Sequence, residues 1–246
     1  MSIKLRQEAI LDILQKQGYV SVRYLTEVLH YSTATINRDL NALQNQNLIK
    51  RSYGGVELVK TKSVPLPFRY HKMKTEKRHI GKAAASFVQD GDTIFIDAST
   101  TTQYMAQYLI DKKDLTVITN NIALVAFLAE YKIRVICLGG EVVEIPNMLN
   151  GTETVENAEK YRADKLFLSS GAISPDGVIG SGIYYLLHRV MLRNSKKIFY
   201  LADHDKVRHE YKTILCDLSR VDYIISDYSF SPETKALYPD TGFIVV

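Results

Sequence analysis

Over the first 45 residues the apolar positions recur three or four apart, whereas beyond residue 90 they gather into short contiguous runs. The first pattern predicts three helices. Ile10, Ile13 and Leu14 mark one, which Gly18 ends. Ser21 is placed to cap a second that buries Leu25, Val28 and Leu29. His30-Tyr31 make a turn, and Ser32 caps a third helix whose Ile36, Leu40 and Leu43 share an inward face. Residues 48–51 and 53–58, joined about Gly54-Gly55, alternate as a β-hairpin. The second pattern opens with an Ala-rich helix at 80–88 and the turn Asp90-Gly91-Asp92. Strands are then predicted at 93–96, 115–118, 135–138, 166–168, 198–201, 223–225 and 243–246. Short β-rich runs separated by helices predict an α/β domain around a largely parallel sheet. Between the two patterns, residues 60–67 are polar and carry Pro65 and Pro67. The expected organisation is therefore a head at 1–58, a linker at 59–74 and a larger domain at 75–246.

The third helix turns Thr33, Thr35, Asn37, Arg38 and Asn41 away from its apolar face. Short donors and acceptors with one guanidinium are the side chains that reach base edges and phosphates in a major groove. Arg38 suits either a guanine edge or a phosphate. Lys50 and Arg51 on the hairpin would contact phosphates whatever the sequence, beside Tyr53. Two helices, an outward polar row and a basic hairpin together predict a winged helix-turn-helix that binds double-stranded operator DNA, with the cap residues Ser21 and Ser32 also among its DNA-binding residues.

In a parallel sheet, ligands bind at the loops leaving the carboxyl ends of the strands. Five such loops carry small polar residues: Asp97-Ala98-Ser99-Thr100-Thr101-Thr102, Thr119-Asn120-Asn121, Gly139-Gly140, Ser169-Ser170-Gly171 and Asp203-His204-Asp205-Lys206. Each alone reads as a cap or a turn. Five at equivalent ends point to one shared pocket lined by Asp97, Ser99, Thr100, Thr101, Thr102, Asn120, Gly139, Gly140, Ser169, Ser170, Asp203 and Lys206. Hydroxyls and amides at a helix start form a natural phosphate cradle.

Charge sharpens this division. The net charge of +4 is the balance of 15 Lys and Arg against 6 Asp and Glu over residues 1–82, and 16 against 21 over the remainder. A basic end on a mildly acidic body places only the N-terminal part against a polyanion. The run from Arg69 to Lys82 offers either a second phosphate-binding stripe or a solvated helix start. The opening residues are too polar for a signal peptide and no apolar run approaches membrane-spanning length, so a cytoplasmic protein without membrane contact is expected. Cys137 and Cys216 lack metal-ligand spacing and sit in apolar segments, which reads as buried thiols. No metal, cofactor or catalytic residue is expected.

The head resembles the winged helix-turn-helix of the DeoR family of bacterial transcriptional regulators. The matching residues are Val20-Ser21-Val22, Leu25, Ser32, Thr35-Ile36-Asn37-Arg38-Asp39-Leu40, Leu43, Leu48 and Gly54-Gly55. A basic residue is more usual at Asn37, and Asp39 suits a structural role, orienting Arg38 or a neighbouring helix. The larger domain is similar to the DeoR sensor domain at Glu76-Lys77, Asp90-Gly91-Asp92, Asp97, Thr100-Thr101, Thr119-Asn120, Leu138-Gly139-Gly140, Gly151, Ala202-Asp203 and Lys206. The resemblance spans nearly the whole chain. It implies a fold shared with ribose-5-phosphate isomerase and CoA transferases, and a phosphorylated sugar whose arrival weakens operator binding. Departures cluster in the pocket. Ser99, Ser169, Ala172 and Arg208 stand where glycines are typical, Asp205 replaces a serine, and residues 177–202 lack the usual glutamate.

The resulting expectation is a repressor of a carbohydrate operon that works as a homodimer or homotetramer. One alternative is a sugar-phosphate isomerase or transferase with a DNA-binding head, for which Asp97, Asp203 and Lys206 are the obvious groups. Another is a regulator whose pocket has a changed or lost effector.

Overall fold

A computed structural model describes residues 3–46, 48–52, 55–59, 72–144, 147–180, 182–207 and 213–246. Tyr53, Gly54, Pro65, Pro67, Arg69 and Arg208 lie outside these ranges. The chain divides into two compact units, Met1–Lys72 and Met73–Val246.

The smaller unit runs α1 (Ile3–Gln17), β1 (Tyr19–Ser21), α2 (Val22–Leu29), α3 (Thr33–Asn45), β2 (Ile49–Ser52) and β3 (Gly55–Leu58). Local chemistry sets these boundaries. Ser21 accepts a hydrogen bond from the Tyr24 amide (3.0 Å) and Ser32 one from the Thr35 amide (3.2 Å), so each hydroxyl satisfies a donor that its helix start leaves open. His30 adopts a left-handed conformation that ends α2 and re-aims the chain into α3. Ile10, Leu14, Leu25, Ile36, Leu40, Leu43 and Val56 close one core. Val28 does not join it, contrary to expectation, and is 44% exposed. The inward stripe of α2 runs through Val22, Leu25 and Leu29, one position away from Val28. A third strand was also not expected: β1 pairs antiparallel with β3, giving the order β1-β3-β2. Gly55 makes that pairing possible, because a Cβ there would lie 2.4 Å from the Tyr19 ring and 2.6 Å from the Val20 carbonyl.

The larger unit contains α4 (Lys74–Ser86), β4 (Thr93–Ile96), a 3-10 helix (Thr102–Tyr108), β5 (Thr116–Thr119), α5 (Ile122–Glu130) and β6 (Arg134–Cys137). It continues through β7 (Glu141–Glu144), β8 (Met148–Asn150), α6 (Thr152–Glu159), β9 (Ala163–Leu168), β10 (Ala172–Ser174), β11 (Gly177–Ile179) and α7 (Tyr185–Arg193). The last elements are β12 (Ser195–Ala202), β13 (Ile214–Cys216), β14 (Tyr223–Ser226), α8 (Pro232–Leu237) and β15 (Gly242–Val245). Seven strands form one sheet, ordered β15-β14-β12-β9-β4-β5-β6 and parallel throughout. These are the seven apolar runs of the sequence. The additional strands are short antiparallel ones, β7 with β8 and β10-β11-β13, too brief to show a period of two.

Successive residues of each parallel strand face opposite sides, as the pleat requires. Phe95, Leu166, Leu168 and Tyr200 enter one core, beneath Ala158 of α6 and Leu187 and Met191 of α7. Ile94, Ile96, Phe167, Phe199 and Leu201 enter the other, beneath Ile80 and Ala84 of α4, Met105, and Leu124 and Leu128 of α5. A sheet covered on both faces needs strands that are apolar throughout, which is why they read as continuous runs. Cys137 was expected to be buried but is exposed, because β6 is the sheet edge; Cys216 is partly buried.

The strand order decides where a site can lie. The chain lays down β4, β5 and β6 toward one edge, then returns to place β9 on the other side of β4. The switch point falls between the carboxyl ends of β4 and β9, the crevice where open α/β sheets bind ligands.

Candidate functional site

On the smaller unit, Thr33, Asn37 and Asn41 repeat every four residues along α3, with Arg38 beside them. Thr33, Arg38 and Asn41 are exposed, and Thr35 and Asn37 partly so. Ser21 and Ser32 are occupied as helix caps, and Ser32 also shares a hydrogen bond with the Thr35 hydroxyl (3.0 Å). Lys50 is exposed on β2. Arg51 instead reaches back to α3, donating to Asn37 Oδ1 (2.6 Å) and Asn41 Oδ1 (2.8 Å). Asp39, 1% exposed, faces the interior and holds the guanidinium of Arg6 from α1, which also lies 4.7 Å above the Tyr31 ring. Asp39 therefore orients a neighbouring helix and leaves Arg38 free to point outward. Nothing local announces Arg6, which lies 33 residues from its partner.

In the larger unit, parallel pairing brings all five polar loops to one edge of the sheet. Asp97, at the end of β4, is the centre of the switch point and is 1% exposed. Its carboxylate accepts from the Ser99 amide (3.2 Å), the Thr102 hydroxyl (2.7 Å) and the Ser169 amide across the crevice (3.2 Å). Ser99 braces the same turn, its hydroxyl accepting from the Thr102 amide (3.1 Å). It does not adopt a positive φ, so the turn has no need of the glycine that Ser99 replaces. The expected helix after this loop is a 3-10 helix, with Thr101 and Thr102 fully buried at its start.

Two lysines converge on that loop. Lys206 donates to Thr101 Oγ1 (3.0 Å) and to the Ser169 hydroxyl. Lys77, on α4 and 3% exposed, donates to Thr100 Oγ1 (3.2 Å). Consecutive threonines thus each meet an ammonium, one buried and one partly buried, and two cations at one loop favour an anion. Lys77 belongs to the basic run that offered a phosphate stripe or a solvated face. Its spacing to Ile80, Gly81 and Ala84 was the available sign that it turns inward. His188 on α7 is a further residue without a sequence signal; its Nε2 lies 3.5 Å from Asp97 Oδ2, and its Nδ1 is buried with no hydrogen-bond partner among the described residues.

The remaining candidates have these surroundings. Ser170 shares a hydrogen bond with the Tyr200 hydroxyl (2.8 Å) and donates to the Ala172 carbonyl (3.1 Å). Burial, followed by the charges of Asp97 and Asp203, holds the Tyr200 hydroxyl above the ordinary phenol range, so it stays protonated and donates to Ala172 (3.0 Å). Asp203 is buried, and its carbonyl accepts from the Lys206 amide (2.9 Å). Asn120 donates to the Leu149 carbonyl (2.9 Å), while its Oδ1 is buried and unpartnered. Neighbouring Asn121 caps α5 and reaches Gln103 (3.4 Å), which ties the ends of β4 and β5 together. Gly139 accepts from the Thr154 hydroxyl (2.6 Å), and Gly140 (φ 108°) leaves no room for a Cβ, which would meet Thr154 Oγ1 at 2.0 Å. These two glycines let the chain turn tightly against α6, and no described hydrogen bond links them to the lysine cluster. His204 pairs with Asp227 rather than with a site residue, and Asp227 holds its imidazole above the ordinary value. Among the described residues, no group of three His, Cys, Asp or Glu is placed to hold a metal ion, and no helix is long and apolar enough to cross a membrane.

Residues 6–62 match the model of the DeoR-like helix-turn-helix domain, and residues 72–228 match that of the DeoR C terminal sensor domain. The chain is 34% identical to the HTH-type transcriptional repressor GlcR of Bacillus subtilis, over 90% of this chain and 87% of that protein. It is 31% identical to the glycerol-3-phosphate regulon repressor of Escherichia coli, over 90% of each. Among solved structures, ribose 5-phosphate isomerase A from Neisseria gonorrhoeae is similar with a TM-score of 0.41 and 18% identity, over 55% of this chain and 53% of that one.

Proposed function

Because the chain belongs to the DeoR family, matching both of its domain models in order, we propose that it represses a carbohydrate operon and is released from its operator by a phosphorylated sugar. The observation that carries the effector half of this reading is the pair of lysines on Thr100 and Thr101. Lys77 and Lys206 bracket a loop at the sheet's switch point and supply the charge-assisted donors that a phosphate dianion takes up. Relatives named for a glycerol-3-phosphate regulon support the same chemistry. The DNA half rests on the exposed row of Thr33, Arg38 and Asn41, with Lys50 on the adjoining strand.

An enzymatic role is disfavoured by Asp97. Three donors already engage its carboxylate, leaving it poorly placed to take a proton from a sugar carbon. A symmetric homodimer or homotetramer fits an operator read as two half-sites. The cytoplasm is where such a regulator meets its DNA.

A thermal-shift screen of the purified protein against phosphorylated sugars tests this reading. A true effector at about 100 times its dissociation constant adds about 2.7 kcal/mol of stability, and it should release a bound operator duplex. If protein that still binds DNA shows no shift with any compound, the sugar-phosphate assignment fails.

A further inference from the structure

Arg51 lies on the wing, where a basic residue is ordinarily counted as a phosphate contact. Here its guanidinium is bonded within the module, to the side-chain oxygens of Asn37 and Asn41. The chemistry of that contact dictates more than a position. A guanidinium has five donors and no acceptor, so each amide must present its oxygen to Arg51. The orientation of both asparagines follows from the bonding itself rather than from the similar outlines of oxygen and nitrogen. One turn apart on the same face of α3, they are left with their NH2 groups as the ends that Arg51 does not hold.

We propose that Arg51 is a positioning residue that converts Asn37 and Asn41 into donor-only readers, and so restricts the bases they recognise. The proposal rests on α3 being the helix that enters the major groove. An unrestrained asparagine pairs bidentately with adenine, donating to N7 and accepting from N6. With Oδ1 held toward Arg51 and one of its two lone pairs taken, it no longer turns to N6 in the bidentate geometry, and the adenine amino group would face another donor. Guanine, with adjacent acceptors at N7 and O6, remains suitable. The wing thereby sets base preference through the recognition helix without itself touching a base.

The test is selection of binding sites from a randomised duplex DNA library by the full-length protein, alongside Asn37→Ala, Asn41→Ala and Arg51→Met. The positions read by the asparagines are those that lose base preference in the alanine variants. At these positions the wild type should enrich G·C over A·T pairs, and Arg51→Met should gain A·T. A·T pairs enriched there by the wild type overturn the proposal, and this outcome does not depend on how the variants fold. So does an Arg51→Met protein that binds duplexes with unchanged preference, or alanine variants that weaken every sequence equally. If the folded wild type enriches no duplex at all, the DNA-binding reading itself falls, a result distinct from binding with the wrong preference.

Discussion

The outer face of α3 and the crevice between β4 and β9 are both built from small polar side chains, yet they use them in opposite ways. On α3, Thr33, Arg38 and Asn41 stand exposed, while the folding of the module depends on residues turned away from them: Ile36, Leu40, Leu43 and the buried Asp39–Arg6 pair. In the crevice, Asp97, Thr100, Thr101, Thr102 and Ser169 are themselves buried: Thr102 and Ser169 bond to Asp97, Thr100 to Lys77 and Thr101 to Lys206. A surface that reads DNA can keep recognition separate from stability, since its partner arrives from outside. A buried crevice cannot, because polar groups removed from water are costly without partners, and most of these are already bonded within the protein.

That contrast breaks down if the crevice residues prove dispensable for folding. Asp97→Ala leaves three donors without their acceptor, at about 1–3 kcal/mol each, and should be the most disruptive change. Denaturant unfolding should show the larger unit strongly destabilised, and a loss under 1 kcal/mol would contradict the account. Arg38→Ala sharpens the other side. It should weaken operator binding by about 1–3 kcal/mol while leaving folding within about 0.5 kcal/mol. Equal loss on operator and random duplexes would make Arg38 a phosphate contact.

A smaller effect concerns pH. Asp227 raises the pKa of His204 above its ordinary 6.5, chiefly through their hydrogen bond. A raised histidine contributes stability that is complete below the unfolded value and fades as pH rises through the folded one. Amide protection across residues 203–207, the turn that carries Lys206, measured relative to the intrinsic exchange rate at each pH, should therefore fall as pH climbs from 6 toward 8. Asp227→Asn should abolish the dependence. The mildest probe is a thiol reagent at pH 8. Burial pushes the Cys216 thiol up to about 11, leaving roughly one molecule in a thousand as thiolate. Cys137, exposed on the edge strand, should label first.

Much of the scaffold was readable without coordinates. The caps at Ser21 and Ser32 act over three residues, and all seven parallel strands stood out because burial on both faces makes them continuously apolar. The short antiparallel strands of the larger unit escaped for the opposite reason: at three or four residues, their pairing partners rather than their own pattern define them. Val28 and Cys137 misled because hydrophobicity states a preference for burial and not whether a neighbour is there to provide it. In the site, the loops were legible but their internal bonding was not. Ser170 turned out to serve Tyr200, and Gly139 and Gly140 to serve the packing of α6.

By itself, then, the sequence determined the elements and their order: a capped helix pair with a basic hairpin, followed by an alternating α/β chain with polar loops at its strand ends. These follow from interactions within one or two turns or along a single strand. Only the tertiary structure decided which polar groups meet. Arg51 finds Asn37 across 14 residues, Lys77 finds Thr100 across 23, and Lys206 finds Thr101 across 105. Hydrogen bonds and charges act over a few ångströms, and no local pattern records which distant segments the fold will bring within that reach.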